Sequence, residues 1–220
     1  MTDNVILNFI FVGIMLIFSL TVHEFSHVLM ARFLGDLTGK RMGRLTLDPL
    51  KHIDFFWTVM FPIIMLIISS VVPIPVFAAG KPAPYNPKFL KRNFFGNPLS
   101  RKTAVSLVAV SGPVSNLILA FLTAFIVSRN LNSDSSLLLH SFISLNISLF
   151  LFNLIPIPPL DGEKVLLAFL SKKATYYYII FLNKFSWTLF ILLIFLASGP
   201  LKYAVDIIHF RLLKILIWYI

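Results

Sequence analysis

The apolar positions of this chain fall into long blocks, separated by short clusters of basic, glycine and proline residues. The first block covers residues 5–34 and stops at Gly35. A bilayer core of about 30 Å takes about 20 helical residues, so this block predicts a spanning helix with turns to spare. Residues 55–79 form a second block, interrupted by Pro62, Pro73 and Pro75. The third, 103–127, predicts a good span, and a polar patch at 128–136 parts it from the fourth, 137–154. That block breaks over 155–162, where Pro156, Pro158 and Pro159 oppose a continued helix. A short helix over 163–171 and a fifth span over 176–197 follow, the latter stopped by Gly199 and Pro200. The last segment, 201–220, carries Lys202, Asp206, His209, Arg211 and Lys214, which suits an interfacial amphipathic helix or a poor sixth span. Between the first two blocks, the alternation Arg44-Leu45-Thr46-Leu47 predicts a small β-hairpin at the surface.

Composition changes the solvent rather than the elements. Hydrophobic residues make up 58% of the 220 and charged ones 13%, with a mean hydropathy of +0.88. A soluble domain carries about 25% charged residues. This chain has too little polar surface to cover itself in water, so a bilayer is its natural medium. The expected fold is an all-α, polytopic bundle of about five to six membrane segments with the small β-hairpin. One membrane-embedded domain over residues 1–220 is expected, since no long polar segment or linker divides the chain.

Charge supplies an orientation. The 19 Lys and Arg against 9 acidic residues give a net charge of +10. They sit between apolar blocks, so they read as cytoplasmic anchors and not as a nucleic-acid surface. Arg32, Lys40, Arg41, Arg44 and Lys51 follow the first helix, which puts the N-terminus outside. The loop 80–102 is equally basic, with Lys81, Lys88, Lys91, Arg92, Arg101 and Lys102. Both loops stay inside only if 55–79 is a re-entrant segment, broken at its prolines and packed within protein. The region of Asp161 then returns to the cytoplasmic side. The start, Met1-Thr2-Asp3-Asn4, lacks the basic region of a cleavable signal peptide.

Candidate chemistry sits in the first helix, at His23-Glu24-Phe25-Ser26-His27. Positions i and i+4 share a helix face, so both imidazoles can reach one ion, with Glu24 beside it to take a proton from water. An ionisable group inside an apolar helix costs at least about 2.5–3.5 kcal/mol, so three within five residues are hard to explain as packing. The bland alternative is a polar patch near the helix end, or His–Glu bonds between helices. The chain has no cysteine, so a third zinc ligand must be His, Asp or Glu. Asp36, Asp48, Asp54, Asp134, Asp161, Asp206, Glu163, His52, His140 and His209 are available. Asp161 stands out because it follows the proline-rich break, whose unpaired carbonyls a membrane tolerates only beside a cavity or within protein. It serves equally well as the N-cap of the helix that follows.

These motifs resemble those of the site-2 protease family of intramembrane zinc metalloproteases. His23 to His27 is similar to that family's HExxH helix. Asn153-Leu154-Ile155-Pro156-Ile157-Pro158-Pro159-Leu160-Asp161-Gly162 resembles its second signature. Ser111-Gly112-Pro113-Val114-Ser115-Asn116 looks like its Gly-Pro-x-x-Asn stretch. Segments 43–54 and 81–87 are similar to parts of its small bacterial members, and the five motifs occur in the family's order. The resemblance implies a catalytic core over about 5–170, with helices over 176–220 appended. It implies one zinc ion per chain held by His23, His27 and Asp161, with Glu24 as the catalytic base. Asn116 and Asn153 would lie near the site and help hold substrate backbone or the developing oxyanion. Their bland alternative is helix–helix hydrogen bonding. His52 is a weaker candidate for the cavity. Against larger relatives, the chain is expected to have no PDZ insertion and no appended nucleotide-sensing domain.

The expected reaction is hydrolysis of peptide bonds in transmembrane segments of other proteins, by metal-activated water. The opened substrate would pair with 44–47 or with 55–79 as an added strand. The resemblance also implies a multi-pass protein of a bacterial cytoplasmic membrane with its site toward the cytoplasm. A metal-ion or ion transporter is the main alternative, since intramembrane His and Asp also mark ion pathways. Transporters often carry internal repeats, and neither motif recurs here.

Overall fold

The computed structural model describes residues 2–69, 79–90, 93–94, 97–129, 136–196 and 198–218. Eight α-helices lie within them: α1 (Thr2–Phe33), α2 (Thr38–Arg41), α3 (Phe61–Ser69), α4 (Arg101–Arg129), α5 (Ser136–Asn153), α6 (Asp161–Phe169), α7 (Lys172–Leu196) and α8 (Ser198–Trp218). Helix α4 is the hub, packing against α1, α5, α6 and α8. Small residues on it, among them Ala104, Ser106, Ala109, Gly112, Ser115 and Ala120, let those neighbours approach its backbone.

Local chemistry explains where the helices stop. Helix α1 ends in a Schellman motif: Gly35 takes φ 92°, its N–H donates to Arg32 O, and the Asp36 N–H donates to Ala31 O. Buried Asp36 then ties this end to a distant loop, accepting from Thr38 N, Thr38 Oγ1 and Asn86 N at 2.9, 2.6 and 2.6 Å. The break after α5 holds a cis Pro158–Pro159 bond. It has room only for glycine at 162, because a Cβ there would collide with the Leu154 carbonyl.

Two apolar clusters flank a polar band along α4. One joins Ala31, Leu34 and Leu90 to Ala104 and Val108. The other joins Ala120, Ala124 and Val127 to Ile143, Ile147 and Val205. Between them, at 112–116, α4 faces the histidines of α1.

The β-hairpin expected at 44–47 is absent. Instead, Thr46 O accepts from the His52 ring, Thr46 Oγ1 accepts from Asp48 N, and Arg44 Nη2 donates to Lys81 O. The strands among the described residues are a two-residue antiparallel pair, β1 (Asn93–Phe94) and β2 (Asn97–Pro98).

Residues 55–60 form a π-helical turn capped by Asp54, whose Oδ1 accepts from Phe56 N and Trp57 N, and α3 continues it. The interior of the expected re-entrant segment, 70–78, lies outside the described residues. Its two ends are described and meet: Ala79 N donates to Trp57 O, Thr58 Oγ1 to Ala79 O, and Lys81 N to His52 O.

Among the described residues, two helices are long and apolar enough to cross a membrane, Ile10–Phe33 and Arg101–Arg129. Helix α5 is shorter at 18 residues, and α7 and α8 reach 25 and 21.

Candidate metal centre

His23 and His27 are 3% and 6% exposed and meet edge to face, with ring planes 86° apart. Their Nε2 atoms lie 3.1 Å apart. Asp161 Oδ2 completes the triangle at 3.2 Å from His23 Nε2 and 3.0 Å from His27 Nε2. Helix α6 begins at Asp161, and the N-cap position belongs to Leu160, with no side-chain cap bond. The Asp161 carboxylate therefore bonds to the histidines and does not cap its own helix.

The triangle suits zinc. Ligand atoms on a tetrahedron at about 2.0–2.1 Å from zinc stand about 3.3 Å apart, close to the separations found here. The outward ring nitrogens strengthen the fit. His27 Nδ1 lies 2.7 Å from Val108 O, which can only accept, so Nδ1 carries the proton. His23 Nδ1 lies 2.6 Å from Asn116 Oδ1, while Asn116 Nδ2 donates to Asn146 Oδ1 at 3.0 Å. With the proton held on Nδ1 by these acceptors, Nε2 is the atom each ring turns to the centre and would offer to a metal, the arrangement that metal-binding histidines need. Among the described residues, this is the one group of three His, Asp or Glu side chains whose ligand atoms all lie within 4.8 Å.

Its surroundings leave no slack. A Cβ at Gly112 would collide with both Nε2 atoms, so α4 can lie this close only with glycine there. Lys164 Nζ stands 3.3 Å from Asp161 Oδ1, one turn along α6. Burial disfavours the Lys164 cation, but Asp161 and then Tyr85 outweigh it and hold the ammonium above its ordinary range.

Glu24 is 8% exposed, and its Oε2 is buried without a hydrogen-bond partner. Gly80 lies against it, where an added Cβ would come within 3.1 Å of Glu24 Cγ. The carboxylate acts electrostatically on His27, Arg44 and His52.

The other candidates separate. Asn116 is fully buried and holds His23, and its Nδ2 also reaches Ser19 O at 3.4 Å. Asn153 bonds back to Leu149 O within its own helix, and no hydrogen bond joins it to the three ligand atoms. His52 is 1% exposed with Nδ1 unpartnered. Burial pushes its imidazole below the ordinary range, which keeps it neutral. Sequence reasoning missed Asn146 and Lys164. Asn146 was visible as one of two amides in the apolar block 137–154, and Lys164 one helical turn after Asp161.

A profile of peptidase family M50 matches residues 128–196, which include the break and Asp161. A Bacillus subtilis protein provisionally named zinc metalloprotease YwhC is 38% identical over 167 residues, 70% of this chain and 66% of its own length. The chain belongs to peptidase family M50, the site-2 proteases. A Methanocaldococcus jannaschii protein with the same provisional function is 44% identical over 27% of the chain and 31% of its own length. Rip2 of Mycolicibacterium smegmatis, also provisionally a zinc metalloprotease, is 28% identical over 66% of the chain and 51% of its own length. The matched part thus falls short of two thirds of each relative. No solved structure matches the chain. For an M50 member, zinc is the ion that His23, His27 and Asp161 suit.

Proposed function

We propose that this chain is a zinc-dependent endopeptidase that cleaves transmembrane segments of other proteins from within the membrane. The observation that carries this reading is the convergence of three ligand atoms, with Glu24 next to His23 on the same helix and its Oε2 buried without a hydrogen-bond partner. When bound, zinc polarises a substrate carbonyl and makes water acidic enough to lose a proton near neutral pH.

The chain's own residues supply the rest. His23, His27 and Asp161 hold the ion, with the histidines fixed by Asn116 and Val108. Glu24 accepts the proton at Oε2 and returns it to the leaving amine. Its desolvated position on α1 keeps competing hydrogen bonds away. Asn116 acts through His23 as a positioning residue, because both ends of its amide are engaged. The segment 44–47, expected with 55–79 as a surface for an added strand, is not itself a strand.

The same reading makes the chain one multi-pass unit of a bacterial cytoplasmic membrane, with the centre toward the cytoplasm. The meeting of residues 79–81 with 52–58 supports a re-entrant path for 55–79, which keeps both basic loops on one side. The comparisons lend no support to the transporter reading.

The test is purified protein assayed for zinc and for cleavage of a transmembrane reporter. Glu24→Gln should keep the metal and lower cleavage by about 10²–10⁴-fold. Cleavage that survives this change, or protein that binds no zinc, overturns the proposal.

A further inference from the structure

Two hollows outside the metal centre adjoin the end of α1. One is an apolar groove of about 260 Å³ between α1 and α4, walled by Leu29, Met30, Phe33, Val114 and Ile118. Three hydroxyls also line it, and all are spent on backbone carbonyls: Ser26 on Val22, Ser111 on Ser26 and Val108, Ser115 on Gly112. Nothing there asks for a polar ligand, and an alkyl chain fits. The other hollow, of about 430 Å³, sets the exposed cations Arg41 and Lys88 beside exposed Leu37 and Phe89. Asp36 lines it too, but both of its oxygens are engaged by Thr38 and Asn86.

Their order along the chain joins them. The groove's wall ends at Phe33, which is also the last residue of the apolar span Ile10–Phe33, and the basic hollow begins at Gly35. The groove therefore lies at the depth of acyl chains, and the basic hollow at the depth of headgroups. We infer that this end of α1 binds one anionic glycerophospholipid, with its phosphate between Arg41 and Lys88 and an acyl chain along the α1–α4 groove. The inference rests on the membrane placement proposed above and needs neither the metal nor hydrolysis.

Native mass spectrometry of the full chain in mild detergent tests it, with dioleoyl phosphatidylglycerol, dioleoyl phosphatidylcholine or inorganic phosphate as probe. Phosphatidylglycerol should be retained as a one-per-chain adduct, more tightly than phosphatidylcholine. A cation near an anionic lipid surface contributes about fivefold in affinity, so Arg41→Ala with Lys88→Ala should weaken phosphatidylglycerol about 25-fold. Phosphatidylcholine, whose choline offsets the charge of the same phosphate, should weaken by less. Lys51→Ala with Lys172→Ala makes the same charge change at exposed sites elsewhere and should leave the adduct intact. Val114→Trp, which fills the groove, should weaken the lipid adduct without altering phosphate binding. Equal loss from both charge pairs would mean diffuse attraction and overturn the inference. So would phosphate competing as well as lipid, or an acidic juxtamembrane peptide displacing lipid at equal concentration. Zinc and cleavage are not read here, so failure of the hydrolase proposal would leave these outcomes unchanged.

Discussion

The bundle contains two histidine pairs, and they differ in what their outward nitrogens meet. In the α1 pair, each Nδ1 faces an oxygen acceptor, Val108 O or Asn116 Oδ1, and each Nε2 turns inward toward Asp161. In the pair between α5 and α8, His209 spends both nitrogens, one on His140 Nδ1 at 3.0 Å and one on Ser144 Oγ at 2.8 Å. Those rings stack at 28° instead of meeting edge to face. The first pair turns two ring nitrogens and one carboxylate oxygen toward a common point. The second is a closed hydrogen-bond chain that joins two helices, as polar side chains do within membranes. In this chain the pair that suits a metal is the one whose Nδ1 atoms meet outside acceptors and whose Nε2 atoms meet a carboxylate.

That contrast can be broken at several points. Asp161→Asn removes the anionic ligand, and zinc affinity measured against a chelating dye should fall by more than the about 100-fold upper limit of outer-shell changes. Gly112→Ala drives a methyl group toward both Nε2 atoms, and affinity should fall by about 100-fold with helical content unchanged. Asn116→Ala frees the His23 tautomer, and the loss should be about 10-fold to 100-fold by the same dye. His209→Phe cuts the second pair. Zinc binding should stay as it is, while thermal unfolding reports a loss of about 1–3 kcal/mol from the orphaned His140 and Ser144. A loss of zinc in that last variant would erase the distinction between the pairs.

The sequence exposed the parts of this centre that depend on local geometry. His23 and His27 are one helical turn apart, so their convergence follows from helical periodicity alone. Asp161 could be singled out because a proline break inside an apolar chain needs a reason, but its choice between ligand and cap could not be made. That choice depends on how α6 meets α1, a contact across 138 residues. Asn146 escaped for the same reason, since its amide matters only where α5 crosses α4. The hairpin at 44–47 failed differently. Four alternating residues are a weak strand signal, and here the side chains of Arg44, Thr46 and His52 bond to nearby backbone groups instead.

The Asp36 carboxylate has a mechanical consequence. Residues 79–86 pass over Glu24 at Gly80 and are stitched down at both hems, to His52, Trp57 and Thr58 at one edge and to Asp36 at the other. A flap hinges when one edge is loose, and this one has no loose edge. Lifting it from the Asp36 side would strand a buried acceptor, at a cost of about 1–3 kcal/mol or more for a charged group. Residues 79–86 are therefore pinned at both ends where they pass Glu24.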